Sequence, residues 1–591
     1  MSRRLAIAGL MMVLVVLWIA PRAPAAEDIL KLVPDSASGL VVINDPAAVD
    51  AKLQALAGEM QLPVPSPLAM LKGVYGITEG VDEKGTIALI VLPPEIEGGL
   101  PTPILLIPVT DYAKFLAPLK PRKPIDSELT KIEVGNFLAR ARHIGGYAAL
   151  TDNENWEILA GTLKLAEKPS PALLSWRRWL TVNDVAGVLL QPGVKRLADK
   201  AQQRMEMMKS VLARAGEKAQ AAAGVFAVYG GMIEAAKKEV VGFGVGVQLN
   251  KQHVHRIFSR TSLAPEGTWA AALAQAGASK ENLLAGLPAG PFVVAGGAAL
   301  SDAAWKAMMK SSTGMMKAMP EVYGLKEEQV NKLSKSAADM MKGVRSMSGV
   351  LELGKDGEPL FSQAIGMMRV DNAQAFLANY EKQGNLYSGL AKGAKSPLIQ
   401  PAQFEKSEIG GTPALQVSKK TPPPPEGMAA SPQARFTDFF FGPGGKVVTW
   451  LVPADEHTVV MGYVNKDRLQ QTLAAMKEGK PDLAADEDVA KSVALLPASA
   501  VARAYLSPRG AISFVQRTGA MLTPAAGPAA PSKFSTLPDF PKTPPIAFAV
   551  TTAPNEVRTH LAIPAEVLRA LGPYVGQVMA ARASSRSTET P

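Results

Sequence analysis

His253 and His255, two residues apart, form the one histidine pair in this sequence with the spacing of metal ligands. Residues two apart on a strand share a face, so both imidazoles can reach one ion. A site would need a third ligand from elsewhere, and His143, His457 and His560 are scattered singly. A half-exposed strand with polar residues on its solvent side explains the same pattern without a metal. The structural role is the expectation, and the metal is the alternative.

Methionine supplies the second candidate. Met308, Met309, Met315, Met316, Met319, Met340, Met341 and Met347 fall in two consecutive helical stretches. Thioethers bind copper(I), and a groove lined by Met308, Met315, Met316, Met319, Met340 and Met341 would accept varied apolar ligands. Filling an irregular helix–helix core is the plainer account. Trp176 and Trp179, with Arg177 and Arg178 between them, share one side of a helix and are expected to anchor it to a sheet.

The sharper signatures are missing. The sequence holds no Gly-x-Ser-x-Gly elbow, no Gly-x4-Gly-Lys-Ser/Thr loop, no His-Glu-x-x-His and no Ser-x-x-Lys. Gly242, Gly244 and Gly246 lack the spacing of a dinucleotide loop. Their alternation strips one strand face of side chains, so another element is expected to pack on that backbone. With no cysteine in the chain, thiol catalysis, thiolate zinc sites and iron–sulfur ligation are excluded. Carboxylate chemistry carries no local signature and stays open. No cofactor is implied.

Arg3 and Arg4, the 16-residue apolar run Leu5 to Ala20 and Ala23-Pro24-Ala25 have the layout of an export signal spanning residues 1–25. The run is short for a bilayer span, which takes about 20 residues. The mature chain is therefore expected in the periplasm or cell envelope without a transmembrane segment. Cleavage would leave 60 basic against 53 acidic side chains, a net +7. Spread over the chain, this supports at most a weak attraction to anionic surfaces. Val194 to Gln220 mixes both signs, which argues against a nucleic-acid stripe.

At 591 residues, 47% of them hydrophobic, the chain calls for more than one core. Its organising stretch is Leu32-Val33-Pro34-Asp35-Ser36-Ala37-Ser38-Gly39-Leu40-Val41-Val42-Ile43-Asn44-Asp45-Pro46, a strand followed by a helix cap and start. Versions recur from Leu287-Pro288 and Leu496-Pro497, with an echo at Asp184 to Pro192. A strand–cap–helix step also repeats at Ile104–Asp111, Tyr147–Asp152, Ile365–Asp371 and Val459–Asn465. Strands are further expected at Gly73–Thr78, Thr86–Leu92, Val240–Leu249 and His253–Ser262, with two helices over 194–239 broken near Gly224. A helix is expected at Leu325–Met347.

These elements predict an α+β fold of antiparallel sheets with helices packed on one face, in two related halves, 26–280 and 281–580. The boundary is expected at 278–283, with irregular proline-rich loops at 383–435 and 521–545 and a disordered tail over 581–591.

Leu-Val-Pro-Asp-Ser-Ala and Leu-Val-Val-Ile-Asn-Asp within 32–45 carry a resemblance, together with Leu-Leu-Ile-Pro-Val-Thr-Asp-Tyr-Ala-Lys-Phe-Leu at 105–116 and Gly145-Gly146-Tyr147-Ala148-Ala149-Leu150. With the export signal, this layout resembles large secreted bacterial proteins of unknown function, common in Planctomycetes. The resemblance covers best the first 160 residues and transfers no activity. The sequence thus points to an exported non-catalytic binding or scaffold protein whose partner is an envelope protein or apolar ligand. Carriage of a lipid between methionine-rich helices and sheet, and a carboxylate-based hydrolase, are the alternatives.

Overall fold

The computed structural model describes residues 29–587 except 62–64, 95–98, 122–128, 135–136, 153–156, 158, 160–162, 164–165, 167, 215–219, 250–254, 275–280, 300, 302–304, 307–308, 310–312, 314–316, 318–324, 356, 393–400, 421–437, 441, 443–445 and 523–536. The fold is α+β and its strands pair antiparallel. Two compact units are formed, Met1–Asp199 with Val240–Leu263, and Lys200–Glu239 with Ala264–Pro591. The expected boundary at 278–283 therefore falls within the second unit, and the proposed signal at 1–25 lies outside the described residues.

The first unit begins with β1 (Gly39–Asn44), and Asp45 then caps α1 (Pro46–Glu59) by accepting the Ala48 N–H at 3.0 Å. The expected strand at Gly73–Thr78 is not formed. Its place is taken by the end of α2 (Pro67–Tyr75), which Gly76 terminates at φ 67°. Ser66 caps α2, and the Asp50 carboxylate, on α1, accepts from both the Ser66 hydroxyl and the Leu68 N–H. That support comes from the preceding helix, outside the local stretch, and overrides its strand propensity.

Next come β2 (Thr86–Leu92), β3 (Thr102–Pro108) and α3 (Tyr112–Leu116), capped by Asp111. They are followed by β4 (Leu129–Val134), β5 (Phe137–Ile144) and β6 (Tyr147–Asp152). After α4 (Arg177–Val182) and β7 (Val185–Leu190) the chain runs into α5 (Gln191–Arg214) and α6 (Gln220–Glu239). Gly224 lies inside α6, not between the two helices. The hairpin β8 (Val240–Leu249) and β9 (His255–Leu263) completes the sheet. Strand order is β4-β5-β6-β3-β2-β1-β7-β8-β9.

The second unit holds α7 (Thr268–Leu273), β10 (Val294–Ala299), α8 (Glu327–Met340), β11 (Val344–Leu351), β12 (Ile365–Val370) and α9 (Ala373–Ala391). The helix expected over Leu325–Met347 stops at Met340, because Gly343, at φ 82°, turns the chain into β11. Asn372, not Asp371, caps α9, accepting the Ala375 N–H at 2.9 Å.

The irregular stretch expected at 383–435 instead holds the end of α9 and the hairpin β13 (Ala402–Ile409) and β14 (Thr412–Lys420). Gly410 and Gly411 supply the two positive φ angles of a two-residue turn. The alternation of β13 is inconspicuous because it is an edge strand whose Gln403, Glu405, Lys406 and Glu408 face solvent. After β15 (Lys446–Pro453) and β16 (Thr458–Tyr463) come α10 (Lys466–Lys477), α11 (Glu487–Val493), β17 (Ala502–Leu506) and α12 (Pro508–Leu522). The hairpin β18 (Ile546–Ala553) and β19 (Glu556–Ile563) leads to α13 (Ala565–Ser587), which continues past Arg582 into the stretch expected as tail.

Strand order in the second unit is β13-β14-β15-β16-β12-β11-β10-β17-β18-β19. Apart from the added edge strand β13, this is the first unit's order position for position, with β10 in the place of β1 and β17 in that of β7. The matching hydrogen bonds coincide. Ser38 donates to Val91 and accepts from Leu190, and Val293 donates to Leu351 and accepts from Ser507.

Helices cover both faces of the second sheet, not one. On β12, Ile365 and Met367 pack with Leu469 of α10, whereas Met368 and Val370 pack with Phe376 and Leu377 of α9. A strand apolar on both sides needs two covers. In the first unit, Leu40, Val42, Trp176 and Leu180 share the largest core.

Candidate functional site

In the second unit, three helices start close to the chain that enters β10. Asn465, directly after β16, accepts the N–H groups of Asp467 and Arg468 at the start of α10. Asp486 accepts those of Asp488 and Val489 on α11. Ser507, directly after β17, accepts the Gly510 N–H in the first turn of α12. Gly510 lets α12 lie against that entering chain, since any Cβ there would strike the Phe292 carbonyl and the Val293 Cα. Between these starts, the entry Gly290–Val293 and the exit of β11 opens a hollow of about 930 Å³.

Its lining carries five carboxylates and four cations. Glu352 accepts from the guanidinium of Arg468, and the two side chains are only 14% and 17% exposed. Burial pushes the Glu352 carboxyl above its ordinary range against the opposing pull of Arg468. Glu358 accepts from the Lys355 N–H, the Ser362 hydroxyl and the Gln363 amide, and these hydrogen bonds, the Gln363 one foremost, lower its pKa. Asp488 pairs with Lys491 at 3.1 Å and Lys542 at 3.2 Å, and the hydrogen bond from Lys491 is the main cause of its lowered pKa. Asp486 is a cap, and Asp467 stands exposed in the first turn of α10. Arg517 donates to the carbonyls of Gly354 and Lys355 and fixes the adjoining loop.

Three of the five acids thus sit at helix starts, Glu352 holds a tertiary ion pair and Glu358 organises its own loop. The lining contains no histidine to activate Ser507 or Ser513. Exposed Lys355 and Arg509 and the amide of Gln471 face a space large enough for a small molecule. The arrangement has the room and the polar groups to hold a small polar ligand.

His255 is buried at the start of β9 opposite Leu249, and His253 lies outside the described residues. Among the described residues no three His, Asp or Glu side chains form a metal-holding group. Met308, Met315, Met316 and Met319 also lie outside the described residues. Met340 ends α8 half-buried, and Met341 packs with Met347 on the Phe376 core.

The glycine face of β8 is covered as expected, and the tryptophans cover it. A Cβ on Gly242 or Gly244 would come within 2.9 or 2.5 Å of the Trp176 ring, and one on Gly246 within 2.6 Å of Asn183. Arg260 lies 4.4 Å over the Trp176 ring and donates to the Ser175 carbonyl at 2.7 Å. Among the described residues no helix is long and apolar enough to cross a membrane.

The hollow has no local signature in the sequence. Asn465 and the Ser507-Pro508 step are legible as junctions, but nothing local reveals that these starts converge. No family model matches this chain, no curated protein matches it in sequence, and no solved structure matches it.

Proposed function

We propose that the chain is an exported, non-catalytic binding protein of the periplasm or cell envelope, and that the hollow of its second unit holds a polar small molecule. The supporting observation is how the hollow's acids are used. Glu352, Glu358, Asp486 and Asp488 are engaged in ion pairs, loop contacts or helix capping. That leaves Lys355, Arg509, Gln471 and the exposed Asp467 open to a ligand. The shared strand order and the matching bonds at Ser38 and Val293 support reading the two units as copies of one module. The second copy would then have acquired the binding site.

Native mass spectrometry of the full-length protein purified from its own envelope tests this reading. A polar molecule should be retained, and retention should fall in the Lys355→Ala/Arg509→Ala variant. Hydrolysis of a glycoside or ester panel that disappears in Glu352→Gln would replace binding with catalysis.

Carriage of an apolar ligand is the second reading, and one observation favours it. Gly296, Gly349 and Gly366 stand side by side on β10, β11 and β12. They floor a shallow groove of about 410 Å³ edged by Val294 and Met461. A co-purifying lipid, in place of a polar molecule, would select this reading.

A further inference from the structure

From Gln203 to Val211 helix α5 is exposed at every position but Met205. From Lys200 to Val211 the exposed large apolar residues are Met207 (68%), Met208 (46%) and Val211 (62%). At 3.6 residues per turn these three, with Lys200 and Arg204, fall within about 100° of arc. Lys200 and Arg204 are also exposed. Glu206 is the one acid between 200 and 214, and it projects from the opposite side of the helix. α6 runs beside α5, where Gly230 lies against Met205, and contributes exposed Tyr229 (55%) and Met232 (48%). Monomeric proteins rarely leave such a stripe bare without a partner.

The charges on the stripe decide what that partner is. A second copy docking in parallel would set Lys200 and Arg204 against their own like, and one docking antiparallel would bury them against Val211 and Met207, in either case with no acid on the stripe to compensate. A nucleic acid would leave three large apolar side chains in water. An anionic bilayer surface satisfies both components. Methionine and valine enter the boundary between headgroups and acyl chains, while the long basic side chains extend toward lipid phosphates.

We infer that the α5–α6 pair is a peripheral membrane-docking element, with α5 lying in the surface of an anionic bilayer along Lys200, Arg204, Met207, Met208 and Val211. This does not depend on the hollow or its ligand. Co-sedimentation of the full chain with phosphatidylcholine vesicles, with and without phosphatidylglycerol, tests it. The wild type should pellet with the anionic vesicles and be released by salt.

Two variants separate the two components, and since every altered side chain is exposed, both should keep the wild-type circular dichroism and melting temperature. Lys200→Gln/Arg204→Gln should weaken partitioning to anionic vesicles by about tenfold or more. Met207→Glu/Val211→Glu should abolish it. The inference fails if the wild type does not pellet, if it pellets equally with pure phosphatidylcholine, or if both variants pellet like the wild type. It also fails if light scattering finds a dimer that Met207→Glu/Val211→Glu dissociates, which would assign the stripe to a second copy.

Discussion

Arg468, in the first turn of α10, donates its guanidinium to the carboxylate of Glu352 just beyond β11, and both side chains are more than four-fifths buried. The pair ties a sheet strand to a helix start on the wall of the hollow. Neither charge is well placed in the absence of the other.

Removing one partner should therefore cost far more than removing both. Arg468→Met is expected to destabilise the second unit by about 3–5 kcal/mol, because it strands a buried carboxylate. Glu352→Leu added to Arg468→Met should recover most of that loss. Urea denaturation of the two variants measures the difference, and equal midpoints would show that the pair is not coupled.

Trp176 and Gly244 are complementary in volume. Gly244→Ala places a methyl group 2.5 Å from the Trp176 ring and 3.0 Å from that of Trp179, so a loss of about 1–3 kcal/mol is expected. Trp176→Leu in the same background should restore part of the stability by vacating that space. Calorimetry reports the energies, and a shifted tryptophan emission in Gly244→Ala would show the ring displaced.

Gly193 and Gly510 stand three residues after the matching donors Leu190 and Ser507, and each lies against the chain entering a central strand. A Cβ at Gly193 would strike the Ser38 carbonyl, as one at Gly510 would strike that of Phe292. Backbone cannot yield as a flexible side chain does. Gly193→Ala and Gly510→Ala should each destabilise by about 1–3 kcal/mol or more. Hydrogen exchange should place the first loss in the sheet containing β1 and the second in that containing β10.

Asp184 provides a pH test in the first unit. Its carboxylate is 4% exposed, accepts the Leu249 N–H at 2.7 Å and lies 3.6 Å from the Lys52 ammonium. Burial outweighs those favourable contacts and pushes its pKa from 3.8 to about 6. The folded protein therefore holds this proton more tightly than the unfolded chain does. Between about pH 4 and pH 6 the unfolded state binds fewer protons, so stability falls as pH rises and levels off above pH 6. That difference in proton affinity corresponds to roughly 2–3 kcal/mol. Asp184→Asn keeps an acceptor for Leu249 and should flatten this component, as denaturant midpoints across the window would show.

The features legible in the sequence are those whose causes lie within a few residues. Asp45, Asp111 and Asn465 cap the helices that follow them, because a short polar side chain reaches the N–H groups two or three residues ahead. Gly242, Gly244 and Gly246 announce a bare strand face, and Trp176 and Trp179 an anchored helix. Neither announces that one covers the other.

What tertiary structure alone decided was set by contacts between distant residues. α2 formed where a strand was expected because Asp50 supports its start, and β13 and β14 emerged from a stretch whose outward residues are polar because an edge strand needs no second apolar face. The strand order, the repeat of that order in the second unit and the convergence of three helix starts on one hollow follow from which strands pair. Pairing is a long-range choice made by backbone hydrogen bonds, which every residue type but proline supplies alike, so residue identity along the chain carries little direct record of it.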